Sequence, residues 1–216
     1  MGANLELGAL QKEVTRQRIL ESGFRLFAEQ AIEKVKMTDI ADAAGVGVAT
    51  VYRYYSTKPK LAVAVSTWAW DTYLKEAIRR IGTQNLTASE RFAYYLDAFL
   101  DLYRNHRALL RFNQFFNVYI ENEKNVPSDT VRPFLAVIDA LTERFDALHR
   151  SAQQDGTLRT DVSAKEIMLP SLHLMLAAAT RYAVGLVYTD GHDPERELIL
   201  LKNMLLREYT QSAQIG

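Results

Sequence analysis

Chemistry needs particular side chains at particular spacings, and most of the usual sets are missing here. The four histidines, His106, His149, His173 and His192, are scattered, and none forms a ligand pair at i, i+4 with a carboxylate in a recognisable metal spacing. There is no Gly-rich phosphate loop and no nucleophile elbow. The absence of cysteine removes disulfides, thiolate zinc sites and cysteine nucleophiles together, and is consistent with a reducing cytoplasm. No catalytic constellation, metal site or cofactor is therefore expected. His173 lies in an apolar stretch, where a hydrogen-bonded core or interface role competes with contact to a polar ligand atom.

One stretch does specify a task. From Thr38 to Lys58, TDIADAAGVGVATVYRYYSTK has the spacing of a helix-turn-helix. Thr38 is a candidate N-cap with Asp39 in the first turn, and Gly45 suits the left-handed exit of a short helix. Ala41 is small enough for a second helix to cross closely above it. Val51 then points inward towards Ile40 and Val46, which leaves Val48, Ala49, Thr50 and Tyr52 at or near the exposed N-terminal end. In helix-turn-helix proteins that end enters the DNA major groove.

The run AGVGVATVYRYYSTKPKL, preceded by VTRQRILESGFRLFAEQ, resembles the DNA-binding domain of the TetR family of bacterial transcriptional regulators. Ile19, Leu20, Gly23, Leu26 and Phe27 match that family's first-helix pattern. Thr50, Val51, Tyr52, Arg53, Tyr54, Tyr55 and Lys58 match the signature that follows. The resemblance spans residues 14 to 62 and implies a homodimeric, ligand-responsive regulator, expected to be a repressor, on a double-stranded DNA operator. It further implies that Thr38 and Tyr54 hold phosphates and that Lys58 adds a charge-assisted phosphate contact. Val48, Ala49, Thr50 and Tyr52 would face base edges, with Gly47 capping their helix. Three positions depart from the pattern: Gly47 replaces a usual serine, Val48 a usual basic or polar residue, and Ala31 a usual loop glycine. Val48 removes a phosphate contact, which implies modest operator affinity.

These residues must be positioned by helices. Apolar residues recur at the helical period throughout, and no window sustains strand alternation, so the fold class expected is all-α, with about nine helices. The first helix begins between Leu7 and Thr15 and ends near Gln30. The fourth opens after Ser56-Thr57, carries Pro59 in its first turn, and stops before Gly82, a length of roughly 35 Å that reaches into the second half of the chain. Thr87-x-x-Glu90 and Ser163-x-x-Glu166 are capping boxes that open the fifth and eighth helices. The sixth is expected from Arg107 to Glu121, the seventh from Thr130 to Gln154, the eighth through Tyr188, and the ninth from Pro194 to Thr210. Residues 1–57 form the expected DNA-binding domain and 58–216 a helical ligand-binding and dimerisation domain.

With 216 residues, 48% of them hydrophobic, the chain has material for one or two domains. Its 26 basic and 26 acidic side chains balance, and the slight basic excess before residue 61 permits DNA binding without suggesting it. The N-terminus lacks a basic segment followed by an apolar run, so no secretory signal is read and a cytoplasmic location is expected.

The eighth helix is long and apolar enough for a membrane span, but Pro170, His173 and Arg181 argue against one, so it should be buried on all sides. Together the last two helices carry more apolar surface than helices four to seven can cover. A four-helix interface between two copies would bury the remainder through Leu172, Leu176, Ala179, Leu198, Leu201 and Leu205, as the resemblance also implies. The alternative is an intrachain core. Rings concentrate in helices four to six, at Trp68, Trp70, Tyr73, Tyr95, Phe99, Tyr103, Phe112, Phe115, Phe116 and Tyr119. They are either plain core or the wall of a pocket for an apolar or aromatic effector, a region where the family binds its inducers. The candidate set is Trp68, Phe99, Tyr103, Phe112, Phe116, Tyr119 and His173. A competing reading is a helical small-molecule-binding protein or enzyme without sequence-specific DNA binding.

Overall fold

The computed structural model describes residues 2–81, 85–123, 127–185 and 193–210. Among them are nine α-helices and no strand: α1 (Gly2–Glu29), α2 (Met37–Ala44), α3 (Val48–Tyr54), α4 (Lys58–Ile81), α5 (Ala88–Asn105), α6 (Arg107–Asn122), α7 (Ser128–Asp155), α8 (Ala164–Val184) and α9 (Pro194–Tyr209). A short 3-10 turn, Ile32–Lys34, follows α1. The helix count and order agree with the sequence expectation, whereas α1 starts earlier than expected. Gly82, Tyr188 and His192 lie outside the described residues.

The chain divides into two compact units, Met1–Thr72 with Arg111–Leu135, and Tyr73–Leu110 with Ala136–Gly216. It passes between them inside α4, α6 and α7, so this division differs from the expected boundary at residues 57 and 58.

In the first unit α1 and α4 approach closely at Gly23, where a Cβ would stand 3.1 Å from Val65 Cγ2. A larger residue there would be tighter than ordinary van der Waals contact, and Val65 would have to give by a few tenths of an ångström. Ala31 has φ −54°, a conformation any residue adopts, so its replacement of the usual glycine costs nothing. A run of rings fills the interior: Phe24 lies 6.0 Å from Trp68 and 5.6 Å from Phe112, and Phe112 lies 5.7 Å from Phe116, which meets Phe134 at 5.5 Å. Edge and offset contacts of this kind add to the burial of the rings themselves. Lys58, the first residue of α4, reaches back to the 3-10 turn, where its ammonium donates to the carbonyls of Ile32 (3.1 Å), Glu33 (2.9 Å) and Val35 (3.2 Å). It also stands 5.7 Å from the centre of the Tyr119 ring.

The second unit is organised around Phe92, Leu96, Leu148, Ile167, Met175 and Leu205, contributed by α5, α7, α8 and α9. Both predicted capping boxes are formed. The Glu90 carboxylate accepts from Thr87 N at 2.8 Å, and that of Glu166 from Ser163 N at 2.8 Å. Asp155, at the end of α7, accepts from the Ala88 amide at 2.7 Å and from that of Thr157 at 2.9 Å. Partial burial would raise its pKa, but these amides outweigh that and hold the carboxyl below its usual value. Arg159 N donates to Tyr209 O at 2.8 Å and tethers the end of α9.

Replacing Lys58 by Met keeps its apolar stem but removes three hydrogen bonds to backbone carbonyls. We expect a loss of about 2 kcal/mol in urea unfolding at neutral pH. Unchanged stability would show that the ammonium does not hold this turn.

Candidate nucleic-acid interface and effector residues

α2 begins two positions earlier than the sequence suggests. Lys36, not Thr38, occupies the N-cap, because the Asp39 carboxylate three residues on accepts from Lys36 N at 2.8 Å and Met37 is buried as the first helical residue. Thr38 is exposed on the first turn. Gly45 ends α2 at φ 65°, and Val46 N returns to Ala41 O at 3.0 Å, closing the turn in left-handed geometry. Gly47 is the N-cap of α3, and its carbonyl accepts from Thr50 N at 2.8 Å.

Within α3 only Val51 is fully buried, and the face it buries packs towards α2, where Ile40 is also fully buried. Val48, Ala49, Tyr52 and Arg53 are exposed and Thr50 is partly so. The four expected base-facing residues thus share one accessible element. Arg53, which the sequence reading passed over, lies on it too; the signal was available in its helical phase relative to Val51.

Two expected phosphate ligands are engaged elsewhere. All three N–H donors of Lys58 are taken by the carbonyls of Ile32, Glu33 and Val35, so its role is to close the 3-10 turn rather than to offer a free cation. Tyr54 donates its hydroxyl to the Lys12 carbonyl at 3.1 Å and thereby ties α3 to α1. The phenol has no second proton to give, so it cannot also donate to a phosphate in this arrangement. Below Lys58 the Tyr119 phenol is pushed above its ordinary pKa by burial, with the Glu123 carboxylate adding to the effect, and it stays neutral.

The seven expected effector residues do not gather within either unit. Trp68, Phe112, Phe116 and Tyr119 belong to the first, where Phe112, Phe116 and Tyr119 are buried. Phe99, Tyr103 and His173 belong to the second. There Phe99 packs on the main cluster, Tyr103 lies 4.3 Å beneath the Arg107 guanidinium, and His173 is exposed on α8. An open cleft of about 510 Å³ beside α1 and the end of α2 is lined by Arg18, Glu21, Ser22, Arg25 and Asp42 to Gly45, and includes none of the seven.

Among the expected interface residues, Ala179, Leu198 and Leu205 are buried inside the chain and unavailable to a partner, while Leu172, Leu176 and Leu201 are partly buried. Among the described residues of these two helices, the exposed apolar ones are Leu174, Ala177 and Val184 on α8, and Ile199, Leu200 and Met204 on α9. α8 is thus not enclosed on all sides. Only 33% of its most apolar window is buried within the chain.

Residues 19–65 match the family model described as bacterial regulatory proteins, tetR family. An HTH-type transcriptional regulator of Staphylococcus aureus is 31% identical over 96 residues, 44% of this chain and 51% of that protein. The chain thus spans about half the length of the curated relatives it matches. A transcriptional regulator from Saccharomonospora viridis in complex with choline shares the fold at TM-score 0.72 and 18% identity, over 91% of this chain and 98% of that one. The transcriptional regulator FadR from Bacillus subtilis in complex with stearoyl-CoA does so at TM-score 0.70 and 14% identity, over 88% and 97%. Residues 19–65 thus carry the helix-turn-helix of the tetR family of bacterial regulatory proteins, and nearly the whole length of the chain shares the fold of solved transcriptional regulators.

Proposed function

We propose that this chain is a homodimeric repressor that binds a palindromic double-stranded DNA operator through α3 and releases it when an apolar or aromatic small molecule binds. The observation that carries the reading is α3 itself, a helix with Val51 buried beneath it and a polar and small-residue face left open. A major groove about 12 Å wide admits one such helix. The tetR family match over residues 19–65 and the matched fold support the same reading.

Release requires that the effector bind the DNA-incompetent state more tightly. A tenfold fall in operator affinity corresponds to about 1.4 kcal/mol of coupling, and reciprocity makes DNA weaken effector binding by the same factor. The buried and half-buried rings of both units support an apolar effector. The proteins of like fold that hold stearoyl-CoA and choline support a ligand role for this architecture.

Dimer formation rests on the open apolar residues of α8 and α9. Replacing Leu200 and Met204 together by Glu places charges on that face without disturbing the buried Leu198 and Leu205. The double variant should sediment as a folded monomer where the wild type sediments as a dimer at micromolar concentration. A monomeric wild type would contradict the interface.

Selection from a pool of random-sequence duplexes tests the DNA reading. The wild type should enrich inverted repeats whose half-site centres lie about 34 to 36 Å apart, or a deformed equivalent. Enrichment of no sequence would favour a helical small-molecule-binding protein.

A further inference from the structure

The outward face of α3 is fixed by the residue it buries. At about 100° per residue, the positions opposite the fully buried Val51 are Ala49 and Arg53, while Thr50 and Tyr52 fall on the flanks. Arg53 therefore occupies the centre of the face that would meet DNA, and it is exposed. Among the described residues it makes no ion pair. Its Nη2 donates to Thr50 Oγ1 at 3.4 Å, and its guanidinium carbon lies 5.9 Å from the centre of the Tyr54 ring. That ring is itself held, because the Tyr54 hydroxyl donates to Lys12 O on α1.

Thr50 stands one turn nearer the N-terminus, so the bond to its hydroxyl draws the guanidinium back along the helix towards the end that enters a groove. Ala49 beside it presents only a methyl group, which lets the helix approach base edges closely. Guanidinium has five donors in a planar fork, and the single bond to Thr50 leaves the fork free to span two acceptors. Guanine offers such a pair, O6 and N7, in the major groove.

Resting on the DNA-binding reading above, we infer that Arg53 is the base-reading side chain of α3 and takes guanine through O6 and N7. Thr50 is a positioning residue that aims it. A phosphate contact is the less favoured role, because Arg53 sits at the middle of the face and is drawn along the helix axis rather than out to a flank.

The test uses the full chain and a random-sequence duplex pool. Wild type should enrich a half-site with one dominant G·C pair, and Arg53→Ala should enrich a half-site degenerate at that position. On the wild-type-selected duplex, replacing that guanine by 7-deazaguanine removes N7 alone. It should weaken wild-type binding by roughly tenfold, within the range of a bidentate contact, and leave Arg53→Ala unaffected. Thr50→Ala should lose part of the guanine preference and Thr50→Ser should restore it, which a merely structural role for the hydroxyl would not require. Arg53→Lys and the 7-deazaguanine duplex against wild type keep the test independent of whether the alanine variant folds.

Selection of the same base at the same strength by Arg53→Ala would overturn the assignment. So would an equal loss of affinity for selected and unselected duplexes with a salt slope reduced by about one, which marks a phosphate contact. A wild type that enriches nothing overturns the DNA reading and this assignment together, and so is told apart from failure of the assignment alone.

Discussion

A seven-residue helix is too short to persist in water on its own propensity, so α3 exists because the first unit holds it. Val51 fixes one face by burial, and Tyr54 fixes the C-terminal end through its bond to Lys12. Lys58, four residues beyond, closes the 3-10 turn that precedes α2. Side chains that would otherwise be read as DNA ligands thus set the position of the helix proposed to meet DNA. The cost of ordering α3 is met before any duplex arrives, which favours affinity and register alike.

Local signals were legible in the sequence, and long-range commitments were not. The capping boxes at Thr87 and Ser163 involve residues three apart, so spacing alone was enough to place them. The turn at Gly45 was equally plain, since the glycine and the small residues before it are neighbours in the chain. Lys58 and Tyr54 read as exposed ligands because their partners lie 23 to 42 residues away. Threonine is a good cap, which favours Thr38 on sequence alone, yet the carboxylate of Asp39 selects Lys36 instead.

The same limit explains the two apolar sets. Periodicity identifies an apolar face and says nothing of which neighbour it meets, so the rings of α4 to α6 looked like one cluster while the chain assigns them to two units. In α8 apolar residues run all round, and composition cannot choose the face turned inward. Packing chose Met175 and Ala179 and left Leu174 and Ala177 outside, with Leu200 and Met204 on α9 in the same condition. Open apolar residues on two adjoining helices are what a symmetric four-helix contact would cover.

The most direct test of a recognition role for α3 uses the absence of cysteine from the chain. A single Ser56→Cys substitution, at an exposed position just beyond α3, can be labelled with an iron–EDTA group without competing thiols. Bound to a duplex carrying the selected site, the labelled dimer should cut each strand in one focused cluster, the two clusters related by two-fold symmetry and separated by about one helical turn. Cleavage scattered along the duplex, or confined to one end without symmetry, would contradict the placement of α3 in the major groove.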